Sequence, residues 1–314
     1  LFFMTTGLVF YPRILRGFAA ASWPAIFITR VFRIAPLIAV SVLAITVTIM
    51  LRTGALPDLH YLSDAAQWIT TWGEPPLLGY PRSGQMNAYV LWSLSYEWLF
   101  YLLVLPACAL AMDVVRDRLP TWTVPLGLLL AALGVRALHL PVPALLYLPL
   151  FPVGMLAHEI RAREGPRRWL AQPWMAIPAV LLLAIAAISA PAPFGVVPLV
   201  LFGFFFVCVA CGNDLGGVLR TRGALVLGEC SYGIYLLHGL VLDLLFVDGT
   251  ALTNRVGTGA LPLLLPLVAV LLALLTAVTF LTVERPAIGL GRNIARFWTN
   301  RRLARNAPEL QIAP

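Results

Sequence analysis

Apolar residues in this 314-residue chain gather into long runs separated by short polar connections. The runs fall near 1–11, 34–51, 88–112, 122–140, 142–159, 174–190, 194–212, 224–247 and 260–284. All but the first are long enough, or nearly so, to cross a bilayer, which takes about 20 apolar residues in a helix. The first covers only half of one, at about 1.5 Å per residue. The pattern predicts an all-α fold: a polytopic transmembrane helical bundle with eight full spans plus a partial N-terminal one. Leu1 opens at full hydrophobicity, with no Met and no polar flank. The chain is therefore expected to begin inside a helix, and its secretory signals cannot be judged.

Composition strengthens this reading. The chain is 60% hydrophobic and 11% charged, with a mean hydropathy of +0.88. So few charges could not cover the surface of a soluble domain. Every basic residue is Arg, and the net charge is +8. Such a charge would suit nucleic acid, but its distribution points to membrane topology. The connections alternate in character. Arg13 and Arg16, Arg30 and Arg33, Arg116 and Arg118, the stretch 161–168, Arg220 and Arg222, and the stretch 285–305 are basic. The intervening connections carry only Arg52, Arg82, Arg136 and Arg255. The positive-inside rule puts the basic set in the cytoplasm. This predicts a membrane domain over 1–290 and a basic cytoplasmic tail over 291–314. The four cysteines lie in apolar runs and read as small buried hydrophobes, Cys208-x-x-Cys211 included.

The stretch 53–87 is the longest outside loop. It carries Tyr61, Trp68, Trp72 and Tyr80 among Pro57, Pro75, Pro76 and Pro81. It reads either as a lid or acceptor-binding loop, since aromatic faces suit sugars, or as an interfacial aromatic belt with Pro-rich turns.

Polar residues inside the apolar runs are the candidates for chemistry. Trp92-Ser93-Leu94-Ser95-Tyr96-Glu97-Trp98-Leu99-Phe100-Tyr101 puts one carboxylate in a span. Insertion scales charge about 3 kcal/mol for that. On a helix Ser93, Glu97 and Tyr101 share one face. Arg30 and Arg33, three apart at a span's start, could clamp a phosphate or simply anchor the helix. Ser231, Tyr235 and His238 also share a face, which suits a proton relay, substrate binding or a packing contact between helices. Val283-Glu284-Arg285-Pro286 reads as a helix stop, because Pro breaks the helix. Asp243 lies deep in its span or near its outer end, and the sequence offers no specific account of it.

Several stretches, in this order, resemble the acyltransferase type 3 family of bacterial integral membrane proteins. They are LFFMTTGLVF at 1–10, ITRVFRIAPL at 28–37, WSLSYEWLFYLLVLP at 92–106, FPVGMLAHE at 151–159, LGECSYGIYLLHG at 227–239 and TVERPAIG at 282–289. The resemblance implies a bundle of about ten helices. It implies a membrane O-acyltransferase of the bacterial inner membrane that moves an acyl group, often acetyl, from acyl-coenzyme A to a hydroxyl of an extracytoplasmic glycan or glycolipid-like acceptor. Arg30 and Arg33 then correspond to the pair expected to hold the coenzyme A phosphates. Glu97 corresponds to the acidic residue that orients the catalytic His or binds an acceptor hydroxyl. Trp92, Ser93, Ser95, Tyr232 and Tyr235 fall on the acceptor side. No metal is implied, since no cluster of ligands has the needed spacing. Acyl-coenzyme A is a substrate rather than a bound cofactor, and the bilayer and the acceptor are the implied partners.

Two departures stand out. Thr5-Thr6-Gly7 occupies the place of a common Ser-Gly pair. The family's general base is a His of its first helix, expected upstream of Leu1. A sugar hydroxyl needs such a base to become a nucleophile. Of His60, His139, His158 and His238, only His238 lies within a predicted span's interior, which makes it the substitute candidate. The rival readings are a secondary transporter, which the lack of an internal repeat disfavours, and a non-catalytic relative without the base.

Overall fold

A computed structural model describes residues 1–138, 144–189, 195–248 and 261–306. His139 and Arg255 lie outside the described residues, as does the tail beyond 306. Helices make up the regular structure, and the described residues contain no strand. In chain order they are α1 (Phe2–Ile14), α2 (Trp23–Thr53), α3 (Tyr61–Thr70), α4 (Ser83–Met86), α5 (Trp92–Leu99), α6 (Leu105–Val115) and α7 (Thr123–Ala137). There follow α8 (Ala144–Tyr147), α9 (Leu150–Ala162), α10 (Glu164–Leu170), α11 (Ala176–Ser189), α12 (Val196–Ala210), α13 (Arg222–Asp243), α14 (Leu261–Thr279) and α15 (Arg285–Asn306).

Four helical runs are long and apolar enough to cross a membrane: Trp23–Thr53, Trp92–Val115, Arg222–Val247 and Leu263–Asn300. The pair Glu164–Leu170 and Pro173–Ile188, bent by 65°, makes a fifth if counted as one broken span. The eight full spans expected from the runs are thus reduced within the described residues. The runs at 122–140 and 194–212 give α7 and α12, of 15 residues each. At about 1.5 Å per residue these reach roughly 22 Å, short of a hydrocarbon core about 30 Å thick. The run at 142–159 divides at Leu148 and Pro149 into α8 and α9. A residue before Pro is pushed out of the helical region, so continuous apolarity there does not make a continuous helix.

Two helical runs pass a Pro that should end them. Phe100–Val104 and Phe280–Glu284 are π-helical turns, joining α5 to α6 and α14 to α15. Pro106 and Pro286 follow each turn at the second position of the next helix. A Pro in a helix lacks its N–H and collides with the carbonyl four residues back. Those carbonyls belong to Leu102 and Thr282, each inside a π-turn, where the wider winding removes the collision. The expected helix stop at Glu284-Arg285-Pro286 is therefore a bulge, and the helix runs on through Asn306. The expected boundary at 290/291 falls inside α15.

The chain forms two compact units: Leu1–Ala21 with Tyr96–Leu225, and Ser22–Ser95 with Val226–Pro314. In the first, α1 crosses α9 backbone to backbone. A Cβ on Gly7 would stand 2.0 Å from the Phe151 carbonyl oxygen, and one on Gly154 would stand 1.8 Å from that of Met4. Small residues of this kind let membrane helices approach closely. Around the crossing, Phe100 stacks on Phe151 with centroids 4.5 Å apart, and Phe10 meets Tyr101 at 4.9 Å.

In the second unit, α2 and α13 run in the same direction. Midway along α13, the Tyr232 hydroxyl donates to the Ile34 carbonyl of α2 at 2.8 Å. At their ends, Arg52 donates to the Asp243 carboxylate, and both side chains are largely buried. This supplies the partner that Asp243 lacked in the sequence. Helix α15 packs on α2, where a Cβ on Gly291 would fall 2.5 Å from the Phe32 Cβ.

Gly154→Ala is expected to lower the thermal stability of the purified protein by at least 1–3 kcal/mol, roughly the cost of overpacking. Denaturation in detergent measures it. A melting temperature equal to the parent's would mean that the two backbones do not touch.

Candidate active site

The first unit holds Glu97. It is 6% exposed on an otherwise apolar run, and the Tyr101 hydroxyl, one helical turn on, donates to its Oε1. A buried carboxylate is tolerable only with such partners. The donor sits within the π-turn Phe100–Val104, a feature common at functional sites. On the neighbouring face of the same helix is an apolar cavity of about 240 Å³, lined among others by Tyr96, Leu99, Phe100, Tyr147 and Phe151. An apolar and aromatic lining of this kind suits the alkyl part of an acyl group.

The same unit has a second polar knot that sequence patterning does not reveal. The Tyr11 hydroxyl donates to Glu159 Oε1 at 2.7 Å, and the Thr121 hydroxyl donates to the same oxygen at 2.6 Å. Its three members lie far apart in sequence and form a brace between helices.

The second unit holds the remaining candidates. Arg33 is half-buried and acts electrostatically on Glu284. Glu284 is 1% exposed, and neither of its carboxylate oxygens has a hydrogen-bond partner among the described residues. Gly233 makes room for it: a Cβ there would lie 3.2 Å from Oε1 and 3.3 Å from Thr276. Arg30 lies one turn before Arg33 on α2. Spacing of three puts Arg30 and Arg33 on one face of α2, and Arg33 is the one whose field reaches Glu284.

Farther along α13, the Tyr235 hydroxyl lies 2.9 Å from Ser93 Oγ and 2.9 Å from the Val90 carbonyl oxygen. His238 Nδ1 lies 2.7 Å from the Tyr235 carbonyl oxygen. Since a carbonyl only accepts, Nδ1 carries the proton and Nε2 is the nitrogen left for other work. Ser231, expected on this face, is exposed and hydrogen-bonds the Gly228 carbonyl of its own helix. Two further expected site residues have backbone partners. Ser95 donates to the Thr71 carbonyl, and Tyr232 to that of Ile34. Trp92 is 40% exposed.

Sequence reasoning passed over Glu74. It sits in the loop before α4, where the Leu91 N–H donates to its carboxylate while Oε2 is buried without a partner. Burial pushes its pKa up to about 7, and the Leu91 N–H offsets this only in part. A lone Glu between Gly73 and Pro75 has no periodicity to betray its burial.

Four helical runs long and apolar enough to cross a membrane are those of a multi-pass membrane protein. A family model described as an acyltransferase domain matches residues 1–283. The chain therefore belongs to the acyltransferase type 3 family. No curated protein and no solved structure matches it.

The environment of Glu74 gives a pH dependence of defined sign. Its ordinary pKa is 4.5, and in the fold it is about 7. Between these values the folded state keeps a proton that the unfolded chain has released. Stability is therefore fully present below about pH 4.5 and declines as the pH rises toward 7. The groups facing Glu74 are the Leu91 N–H and the Tyr235 phenol from α13. Melting curves of the parent and Glu74→Gln between pH 5 and 8 should diverge, the parent falling relative to the variant. Parallel curves would mean that Glu74 titrates normally.

Proposed function

We propose that the chain is a membrane O-acyltransferase that carries an acyl group, acetyl in the simplest case, from acyl-coenzyme A to a hydroxyl of an extracytoplasmic glycan or glycolipid-like acceptor. The observation that carries this reading is the buried Glu97, received by Tyr101, in a chain matched as an acyltransferase over residues 1–283. In the reaction the acceptor oxygen loses its proton and attacks the thioester carbonyl. The carbon–sulfur bond then breaks, and the coenzyme A thiolate leaves and takes up a proton. Glu97 holds the acceptor hydroxyl or orients the base that deprotonates it. Arg30 and Arg33 hold the donor phosphates, with Glu284 beside Arg33. The apolar cavity beside Glu97 suits the alkyl part of the acyl group. The alternation of Arg-rich connections supports a cytoplasmic C-terminus in a bacterial inner membrane, with the donor entering from that side.

Two substitutions test the reading. Glu97→Gln should abolish acyl transfer in membranes supplied with labelled acyl-coenzyme A while leaving the amount of folded protein unchanged. Full activity in that variant would remove Glu97 from the site. Arg30→Ala combined with Arg33→Ala should raise the donor KM by at least tenfold, since each charge-assisted contact is worth about 1.5–3 kcal/mol. Donor kinetics equal to the parent's would show that the phosphates bind elsewhere.

A further inference from the structure

Arg52, Arg116, Arg168 and Arg220 each pair with an Asp or Glu side chain. The arginines of α15 do not. Arg285, Arg292 and Arg296 are exposed, and none of their side chains makes an ion pair or a hydrogen bond among the described residues. The sequence gives them nothing to pair with, since no Asp or Glu occurs between Arg285 and Pro308. Glu284, just before the helix, is buried in the field of Arg33. At 3.6 residues per turn, Arg285, Arg292 and Arg296 fall within roughly 40° of one another and form a single stripe. Gly291 and Ala295 lie on the buried face, about 100° round the helix, where Gly291 meets Phe32 of α2. Leu290 and Phe297, both exposed, make a second stripe on the side away from that packed face.

The depth of the arginine stripe follows from α2. Arg33 and Arg52 bound the apolar run of that helix, and the rise between them is roughly 28 Å. This is close to the hydrocarbon thickness of about 30 Å, so each stands near one boundary of the core. Phe32, next to Arg33, lies against Gly291. Earlier in the same helical run, Thr276 and Glu284 lie against Gly233, inside the span Arg222–Val247. Helix α15 therefore reaches the boundary at Gly291 from within the core and runs on into the headgroup layer. Arg292 is the next residue, and Arg296 stands roughly 8 Å past Gly291. The interfacial layer is itself about 5–8 Å deep on each side. Side chains on a helix lean toward its N-terminus, here toward the core. Arg296 and Phe297 thus lean back into the layer. Arg285 stands inside the boundary and reaches the layer only by stretching along the helix.

The layer can supply the counter-charge that the chain lacks. A guanidinium takes a phosphate by two parallel hydrogen bonds. In a zwitterionic lipid the ammonium cancels the phosphate, and the clustered positive charges stay uncompensated. An anionic headgroup brings net negative charge, worth about fivefold in affinity for each Arg near the surface. The apolar stripe beside the arginines matches the other half of such a lipid, because Leu290 stands where the acyl chains begin. We propose that the exposed side of α15 binds anionic phospholipids of the bilayer, with Arg292 and Arg296 holding headgroup phosphates and Leu290 lying against the acyl chains. This surface is independent of the acyl transfer proposed above.

The test uses the full chain in phosphatidylcholine nanodiscs carrying a trace of phosphatidylglycerol with a photoreactive headgroup. Labelled peptides are identified by mass spectrometry after illumination. Peptides from 285–300 should be labelled. Unlabelled phosphatidylglycerol should suppress that labelling, whereas coenzyme A and inorganic phosphate should not. Arg292→Gln combined with Arg296→Gln should weaken it about twentyfold or more, at about fivefold for each lost charge. Arg292→Lys combined with Arg296→Lys keeps both charges and should retain most of it. Both side chains are exposed, so the Gln variant should melt at the parent's temperature. Its labelling at the other Arg-rich stretch, 161–168, should also equal the parent's. Equal labelling of 285–300 by a photoreactive phosphatidylcholine, or unchanged labelling in the Gln variant, would overturn the surface. Suppression by free phosphate or coenzyme A would overturn the lipid as its ligand. Should the Gln variant fail to fold, the comparison of the two headgroups on the parent decides alone.

Discussion

A polar group inside an apolar helix has no water to fall back on, so its partner must come from the protein. Helix α13 shows how far this constraint organises the second unit. Tyr232 reaches the Ile34 carbonyl of α2, Tyr235 takes the Val90 carbonyl and Ser93, and His238 turns back to the Tyr235 carbonyl. Asp243 closes the far end against Arg52. Between them, Gly233 and Gly239 let Glu284 and the loop at Asn87 come close. Each polar position thus fixes a neighbouring segment at a set height along one helix. Removing any of these contacts would strand a donor or acceptor in apolar surroundings, at a cost above that of the bond itself.

The π-turns follow from the same constraint. A Pro in a membrane helix frees a carbonyl, and that carbonyl must be accommodated locally. At Pro106 and Pro286 a wider turn does so, and both turns lie beside a buried carboxylate. Tyr101, which donates to Glu97, sits inside the first turn, and Glu284 is the last residue of the second. The irregular winding re-aims side chains that a regular helix would place about 100° away per residue. In this way the chain can hold a polar group in an apolar run without ending the helix.

Much of the fold is legible from hydrophobic runs, because long apolar helices follow from composition alone. The four long helical runs coincide with runs seen in the sequence. What apolarity does not report is where a run breaks. Leu148-Pro149 divides one expected span, while Pro286 fails to divide another, and the difference lies in a π-turn that has no compositional signature. At the site, the i, i+4 pairing of Glu97 with Tyr101 could be read directly from spacing. The tie between Arg52 and Asp243 could not, since 191 residues separate them. Glu284 was hidden by its neighbours: Arg285 and Pro286 mimic an ordinary helix end. Glu74 was hidden by its loop, where burial depends on chain folding rather than on period.

Glu97 and Glu284 are buried and Glu74 buries one carboxylate oxygen, and the three differ in how they are compensated. Glu97 has a phenol supplied by its own helix one turn away, which forms as soon as the helix does. Among the described residues Glu284 has the field of Arg33, from another helix, and no hydrogen bond. Glu74 has one backbone N–H for two oxygens. Buried side chains lacking a partner follow the same division. In the second unit they include Ser41, Thr71, Glu74, Asn87 and Glu284, whereas in the first His158 is the example. Groups that serve packing tend to be satisfied within the chain, because nothing else will satisfy them. Groups that meet a ligand must keep capacity in reserve, and the chain bears that cost until the ligand arrives. By this measure the second unit keeps more of its polar capacity in reserve among the described residues, and the first keeps Glu97 satisfied from its own helix.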